Sequence, residues 1–186
     1  MATSIAVRIR DTARGLSAAS AAGTVRSYFP LWDAQYRPFL RLAVEALPVD
    51  RFDFKPRPAM LTAQQLLVHI AESERGWIHH VLEGGPYEEW VVPHADPQQG
   101  WVTVPEARDH AALLELLDVE HRRTQAWLDK PAFEIDRVIT YRAQSGAEKK
   151  ATLHWILACT QEHEIHHRAQ LALYLRMMGV EPPPTM

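Results

Sequence analysis

The sequence predicts an all-α protein, a four-helix bundle that leaves room for a small β-hairpin before its last helix. Four segments of about 20 to 27 residues carry apolar side chains at the three- and four-residue spacing of amphipathic helices. Capping and turn signals separate these segments. The chain has 186 residues, of which 47% are hydrophobic and 23% charged, enough for one domain with a sizeable core. Long amphipathic helices around one core favour a bundle.

The first predicted helix spans about residues 25–47. Pro38 lies inside this segment, and we expect it to kink or break the helix because proline lacks the backbone N–H. A proline-rich loop at 48–58 follows. The apolar stripe of the segment consists of Trp32, Tyr36, Phe39, Leu40, Ala43 and Leu47.

The second predicted helix spans about 62–83. Thr62 and Gln65 have the spacing of a capping box, which marks a helix start. Gly84 and Gly85 are followed by Pro86, a combination typical of a helix end. The next segment, 86–102, carries several tryptophans and prolines and is interpreted as an ordered loop between helices.

The third predicted helix spans about 103–130, with a second capping box at Thr103 and Glu106. A strand-like run at 137–141 and a turn at Ser145 and Gly146 then favour the hairpin. The fourth helix is predicted at about 152–178. We therefore divide the chain into an N-terminal extension at 1–24, a bundle domain at 25–179 and a proline-rich tail at 180–186.

Charge and cysteine content exclude several classes of partner. Lys and Arg number 20 against 23 Asp and Glu, so the formal net charge is −3 and no basic field attracts nucleic acid. No apolar run has the length of a membrane-spanning helix. The single cysteine, Cys159, cannot form an internal disulfide, which fits a reducing compartment. We expect a cytoplasmic protein with no nucleic-acid or membrane partner.

The most informative motif is HEIHH at residues 163–167, within the fourth predicted helix. His163 and His167 are four residues apart, so a helix places both imidazoles on one face, the spacing with which a helix offers two nitrogens to one metal ion. A helical wheel places both histidines on the core-facing side, with the set Trp155, Ile156, Cys159, Leu173, Tyr174 and Met177. It places Glu164 and Arg168 on the polar side. The alternative is a pair of interior histidines satisfied by hydrogen bonds.

Two ligands do not complete a metal site, so a third must come from another helix. Periodicity does not choose well among the candidates on the second and third helices. Cys159 could also approach the pair, although a small apolar role suits it better. The histidine candidates are His69, His79, His80, His110 and His121.

The same motif also fits His-Glu-x-x-His, in which Glu164 would serve as the general base of a zinc peptidase. Gln170 and Leu173 stand where the extended form of that motif needs glycine and histidine. The wheel also separates Glu164 from His163. We therefore do not favour a peptidase.

Two segments together resemble the DinB/YfiT-like superfamily of metal-binding four-helix bundles. One is residues 66–74 (LLVHIAESE), which follow Arg57 and Pro58, and the other is residues 163–171 (HEIHHRAQL). Ala169 replaces the usual glycine, a small change on a helix. The resemblance covers about residues 28–179. It implies that His69, His163 and His167 bind one divalent ion, zinc or nickel first and iron or manganese next, in a homodimer.

The resemblance also implies a function. Members are similar in binding a metal, and their known activities often use a low-molecular-weight thiol as co-substrate, so we expect metal-dependent thiol transfer to a small electrophile, or metal-assisted hydrolysis. The sequence does not separate these two and assigns no catalytic residue. Arg168 and Gln170 are candidates to orient the imidazoles, as are Glu72 and Glu74. Two alternatives stay open: a structural ion without catalysis, and a metal-free helical interaction module.

Overall fold

The computed structural model describes residues 23–90 and 109–183. These residues are mostly helical and include one two-stranded antiparallel sheet, so the predicted fold class is confirmed. Several predicted features lie outside the described residues: the capping box at 103–106, the loop with Trp101 and His94, most of the N-terminal extension and the last three residues. In the described part of the chain, no helix has the length and apolar character needed to cross a membrane.

The first helical segment is interrupted, so the prediction of one helix over 25–47 is wrong. It consists of a 3-10 turn at Val25–Tyr28, a π-helical turn at Trp32–Tyr36 and an α-helix, α1, at Arg37–Glu45. Pro38 lies in the first turn of α1, where its missing N–H costs no intrahelical hydrogen bond. Proline therefore marks a boundary rather than a kink.

The second helix, α2, spans Ala63–Arg75 and begins with the predicted capping box. The backbone N–H of Gln65 donates to Thr62 Oγ1 at 3.1 Å, and the N–H of Thr62 donates to Gln65 Oε1 at 2.8 Å. The helix continues as a π-helical segment at Gly76–Leu82. Gly84 ends it with a φ of 75°, a conformation that favours glycine.

Helix α3 spans His110–Leu128 and begins later than predicted. Asp109 has extended backbone and caps the helix by accepting a hydrogen bond from the N–H of Ala112 at 2.8 Å. A 3-10 turn at Val49–Arg51 precedes α2, and a second at Ala132–Asp136 follows α3.

The predicted hairpin pairs β1, Val138–Arg142, with β2, Glu148–Thr152. Helix α4, Leu153–Met177, begins directly after β2. Thr152 caps it by accepting a hydrogen bond from the N–H of Trp155 at 3.1 Å. The hairpin is therefore joined rigidly to the helix that carries the HEIHH motif.

The four long helices bury two apolar clusters, one toward each end of the bundle. One cluster is formed mainly by α1, α2, α3 and the C-terminal part of α4, and the other includes the π-helical turns and the N-terminal part of α4. Between them each helix contributes buried charged or polar side chains, which we call the polar layer. Its members are Arg37, Glu74, His121, Thr124, Glu164 and Arg168.

Candidate metal centre

His69 on α2 and the pair His163 and His167 on α4 come together in the structure. The ring centroid of His69 lies 4.9 Å from that of His163 and 4.9 Å from that of His167, and the centroids of the pair are 4.3 Å apart. One ring nitrogen of each residue lies within 4.8 Å of the corresponding atoms of the others. Within the described ranges, no Asp, Glu or Cys joins this group.

The remaining candidates for a third ligand lie elsewhere. A ring nitrogen of His110, Nε2, is 2.6 Å from the backbone oxygen of Leu47. His79 lies against Glu83, with Nδ1 3.1 Å from Oε2, and its ring stacks near that of His80. His121 belongs to the polar layer. Among the candidates that periodicity left open, His69 is the one whose ring lies beside those of His163 and His167.

The three imidazoles are half-buried, and this lowers their pKa values. Burial, together with repulsion from the nearby His167, lowers the pKa of His69 to about 4. Burial, together with repulsion from His167, His69 and His166, lowers the pKa of His163 to about 3. Burial also lowers the pKa of His167, although the hydrogen bond that its ring donates to Gln170 acts in the opposite direction. The cluster is therefore neutral at pH 7, the form in which imidazole binds metals.

Hydrogen bonds orient one of the three rings. Nδ1 of His167 lies 2.7 Å from Gln170 Oε1 and donates to it, while the Gln170 amide donates to Nε2 of His166 at 3.0 Å. This leaves Nε2 of His167 as its available nitrogen. Gln170 therefore has the orienting position that the sequence suggested.

The residues present fit a divalent ion. His69 Nδ1 and His163 Nε2 are buried and have no hydrogen-bond partner among the described residues. Leaving buried polar atoms unpaired is costly, and one ion could satisfy both. Two zinc–nitrogen bonds of about 2.1 Å span about 4.2 Å, so small ring rotations close the present spacing.

Glu164 follows His163 directly but points into the bundle. It is 3% exposed and accepts a hydrogen bond from Trp32 Nε1 at 3.0 Å. Its Oε2 also lies 3.5 Å from Arg37 Nη1. The prediction that Glu164 and Arg168 face solvent is wrong: both are buried in the polar layer. The peptidase interpretation therefore lacks its general base. The wheel had placed Glu164 on the solvent side of the helix, whereas the structure buries it in the bundle.

The helical wheel was also wrong about some of the α4 residues that it placed toward the core. Trp155, Leu173 and Met177 are exposed rather than core-facing, and Cys159 is half-buried. The buried stripe of α4 runs through Ile156, Thr160, Glu164, Arg168 and Leu175, so the two histidines lie at its border. At this border the three imidazoles stay partly exposed.

The polar layer holds a chain of alternating charges. Arg37 forms an ion pair with Glu74, whose Oε1 accepts from Thr124 Oγ1 at 2.6 Å and lies 2.7 Å from His121 Nδ1. Nε2 of the same imidazole lies 2.5 Å from Asp33 Oδ1. Each ring nitrogen of His121 therefore lies against a carboxylate.

The two glutamates of the polar layer have pKa values shifted in opposite directions. Burial alone would raise the pKa of Glu74, but Arg37 and the hydrogen bonds from His121 and Thr124 outweigh it and lower that pKa. Burial raises the pKa of Glu164, and the attraction of Arg37 is partly cancelled by repulsion from Glu74. Glu74 is therefore the anchored anion of the layer.

Arg168 holds α4 against α1. Its Nη1 donates to the backbone oxygen of Tyr36 at 3.3 Å, and the guanidinium lies 5.2 Å from the Tyr36 ring centroid and 5.6 Å from that of Phe39. Since Glu164 and Arg168 each follow a candidate ligand by one residue, their burial sets the rotation of α4. That rotation turns His163 and His167 toward α2.

Comparison with known proteins gives one family and two solved relatives. The model of the DinB family matches residues 29–186. A Bacillus subtilis (strain 168) protein, "Uncharacterized protein YjoA", is 28% identical over 136 residues, which cover 73% of this chain and 79% of that protein.

The solved structures have the same fold. The crystal structure of the DinB-like YjoA of Bacillus subtilis superposes with a TM-score of 0.58 and 27% identity, covering 82% of this chain and 93% of that one. A DinB-like protein of Bacillus cereus ATCC 10987 superposes with a TM-score of 0.61 and 11% identity, covering 88% and 99%. The second likeness, at this identity, concerns the fold alone.

Proposed function

Because this chain belongs to the DinB family, we propose that it is a metal-dependent enzyme that transfers a low-molecular-weight thiol to a small electrophile. The observation that carries the proposal is the convergence of three neutral imidazoles, two of which have buried nitrogens without a partner in the described residues. His69, His163 and His167 would hold one divalent ion, with zinc or nickel the best candidates for this nitrogen donor set.

The ion would supply Lewis-acid chemistry, which lowers the pKa of a thiol or a water and so produces the nucleophile near neutral pH. Three neutral ligands leave its charge undiminished. Gln170 would fix the ring of His167 through Nδ1, so that Nε2 faces the ion. The exposed part of the cluster would admit the thiol and the electrophile.

Thiol transfer is favoured over hydrolysis by the position of Glu164. Metal-assisted hydrolysis usually uses a carboxylate to take the proton of the attacking water, and Glu164 is held instead by Trp32 and Arg37 in the polar layer. A thiol has an ordinary pKa of about 8.5, against about 15.7 for water, and needs less help to ionise.

The first test is metal content followed by a thiol assay. We expect about one zinc or nickel ion per chain in protein purified without a histidine tag. Glutathione, cysteine and other cellular thiols would then be assayed with aryl halides, epoxides and unsaturated carbonyl compounds. Turnover that requires thiol, stops with a chelator and returns with metal supports the proposal. Thiol-independent cleavage of nitrophenyl esters would favour hydrolysis, and a metal-free protein would refute both.

The lowered histidine pKa values predict how metal binding depends on pH. An ordinary histidine has a pKa near 6.5, and below that pH protons compete with the metal for its ring nitrogen. With pKa values of about 4 for His69 and about 3 for His163, both rings stay neutral at pH 5. The pKa of His167 is lowered as well, so we expect zinc affinity to fall less between pH 7 and pH 5 than it would for three imidazoles of ordinary pKa. Equilibrium dialysis measures the affinity, with circular dichroism as a folding control. A loss as large as that expected for three imidazoles of ordinary pKa would contradict this.

These lowered pKa values also make folding stability depend on pH, in the opposite direction to that expected for a histidine in a salt bridge. Because these pKa values are lower in the folded chain than in the unfolded one, the unfolded chain binds more protons between about pH 6.5 and pH 4. The metal-free protein therefore loses stability as the pH falls through this window. Bound metal should oppose that loss.

A further inference from the structure

An aromatic cluster lies where α2, the hairpin and α4 meet. The ring centroid of Trp77 is 5.7 Å from that of Tyr141, at an interplanar angle of 72°. It is 5.5 Å from that of Trp155, at 80°. These are edge-to-face contacts. Trp155 is nevertheless 47% exposed, so a large aromatic surface remains uncovered beside Trp77.

This aromatic cluster is aligned with the imidazole cluster. Trp77 follows His69 by two helical turns, and Trp155 precedes His163 by two turns. Trp77 lies in the π-helical continuation of α2. Because both pairs are in contact with α4, α4 runs antiparallel to α2 and its continuation, and the two clusters share one strip. Eight residues at 1.5 Å each place the clusters about 12 Å apart.

Small side chains occupy the turn between the two clusters. Ser73 lies one turn from both His69 and Trp77, and Cys159 lies one turn from both His163 and Trp155; both small residues are half-buried. From the hairpin, the ring of Tyr141 contacts Trp77. The strip thus carries aromatic side chains at one end, imidazoles at the other and two small side chains between them.

We propose that this strip binds an aromatic small molecule, whose ring lies against Trp77 and Trp155 and whose reacting group lies at the imidazole cluster. The proposal rests on the proposed function, and it names the class of electrophile. A flat ring suits the uncovered face of Trp155, because aromatic side chains favour aromatic partners over aliphatic ones of equal area. Tyr141 would donate a hydrogen bond to a polar substituent.

The length of the strip sets the size of the ligand. A two-ring aromatic molecule with a short substituent spans roughly the 12 Å between the clusters, as given by two helical turns. A small aliphatic electrophile would reach the imidazoles without touching Trp155. The aromatic end is therefore a source of specificity rather than of chemistry.

The test uses a non-reactive probe, 2-naphthol, and its saturated analogue, decahydro-2-naphthol, titrated calorimetrically into metal-free and metal-loaded protein. We expect one 2-naphthol site per chain in both forms, and binding about three- to tenfold weaker in Trp155→Ala. Since Trp155 is half exposed, its replacement should leave the fold intact. Phe133→Ala is the matched control, because Phe133 is 66% exposed and lies outside the strip.

The outcomes separate this inference from the metal proposal. Weakening in Trp155→Ala but not in Phe133→Ala, with weaker binding of the saturated analogue, supports an aromatic site whether or not metal is present. Equal binding by wild type and Trp155→Ala, or equal binding of the two probes, overturns it. Unchanged metal content in Trp155→Ala would show that metal binding at the imidazole cluster does not depend on the aromatic cluster.

Discussion

Replacing His163 with alanine is expected to remove the bound ion. The change leaves two imidazoles, fewer than the three protein ligands that a catalytic zinc site uses. Loss of an outer partner alone costs about 10- to 100-fold in metal affinity, so loss of a ligand should cost at least about a hundredfold. Metal content measured by mass spectrometry should fall from about one ion per chain to near zero.

His166 provides the matched control for this experiment. It is exposed, lies on the same helix within one turn of both candidate ligands, and is outside the group of converging nitrogens. His166→Ala should keep its metal, while His69→Ala and His167→Ala should lose theirs. Metal retained in all variants, or lost equally in His166→Ala, would contradict the proposed ligand set. Circular dichroism of each variant excludes unfolding as the cause.

Replacing Glu74 with alanine is expected to cause the largest loss of stability. Glu74 is 3% exposed and is the shared partner of Arg37, His121 and Thr124. Its removal leaves the buried guanidinium of Arg37 without its main counter-ion, and breaking a buried pair costs about 3 to 5 kcal/mol. Arg37 keeps Glu164 at 3.5 Å, so we expect a value near the lower end. Urea unfolding of the metal-free protein measures it.

A surface glutamate gives the comparison. Glu115 pairs with Arg122 at 3.0 Å, but both side chains are more than half exposed. Exposed pairs of this kind contribute less than about 1 kcal/mol, so Glu115→Ala should change the free energy of unfolding little. If Glu74→Ala were as mild as Glu115→Ala, the polar layer would not be the central support of the bundle.

The helical bundle and the hairpin were predictable because their signals are local. The capping box at Thr62, the glycine at 84 and the alternation before Gly146 each depend on a few neighbouring residues. Helix α3 begins at His110 because Asp109 caps it, while the capping box predicted at 103–106 lies outside the described residues.

The histidine pair was also predictable from a local signal, because a four-residue spacing defines it. His69 required knowledge of which helices pack together, which periodicity leaves open among several histidines. The family resemblance supplied that choice, and the structure brings the three rings together. Whether they bind an ion stays a prediction.

The polar layer was not predicted, because charged residues are ordinarily assigned to solvent. Glu164 and Arg168 were placed on the wrong face of α4 for this reason. A signal did exist on α2, where Glu74 continues the apolar spacing of Leu67, Ile70 and Ala71 and precedes Ile78. A charge in register with an apolar stripe indicates a buried ion pair, but its partner is visible only in three dimensions.

The three imidazoles come from two helices that lie far apart in the sequence. An ion held by them would act as a cross-link that closes the long loop between α2 and α4, and long loops lose the most entropy when closed. Helix α4 would thus be tethered to α2 only once the ion binds. Metal supply would then govern how firmly α4 stays docked.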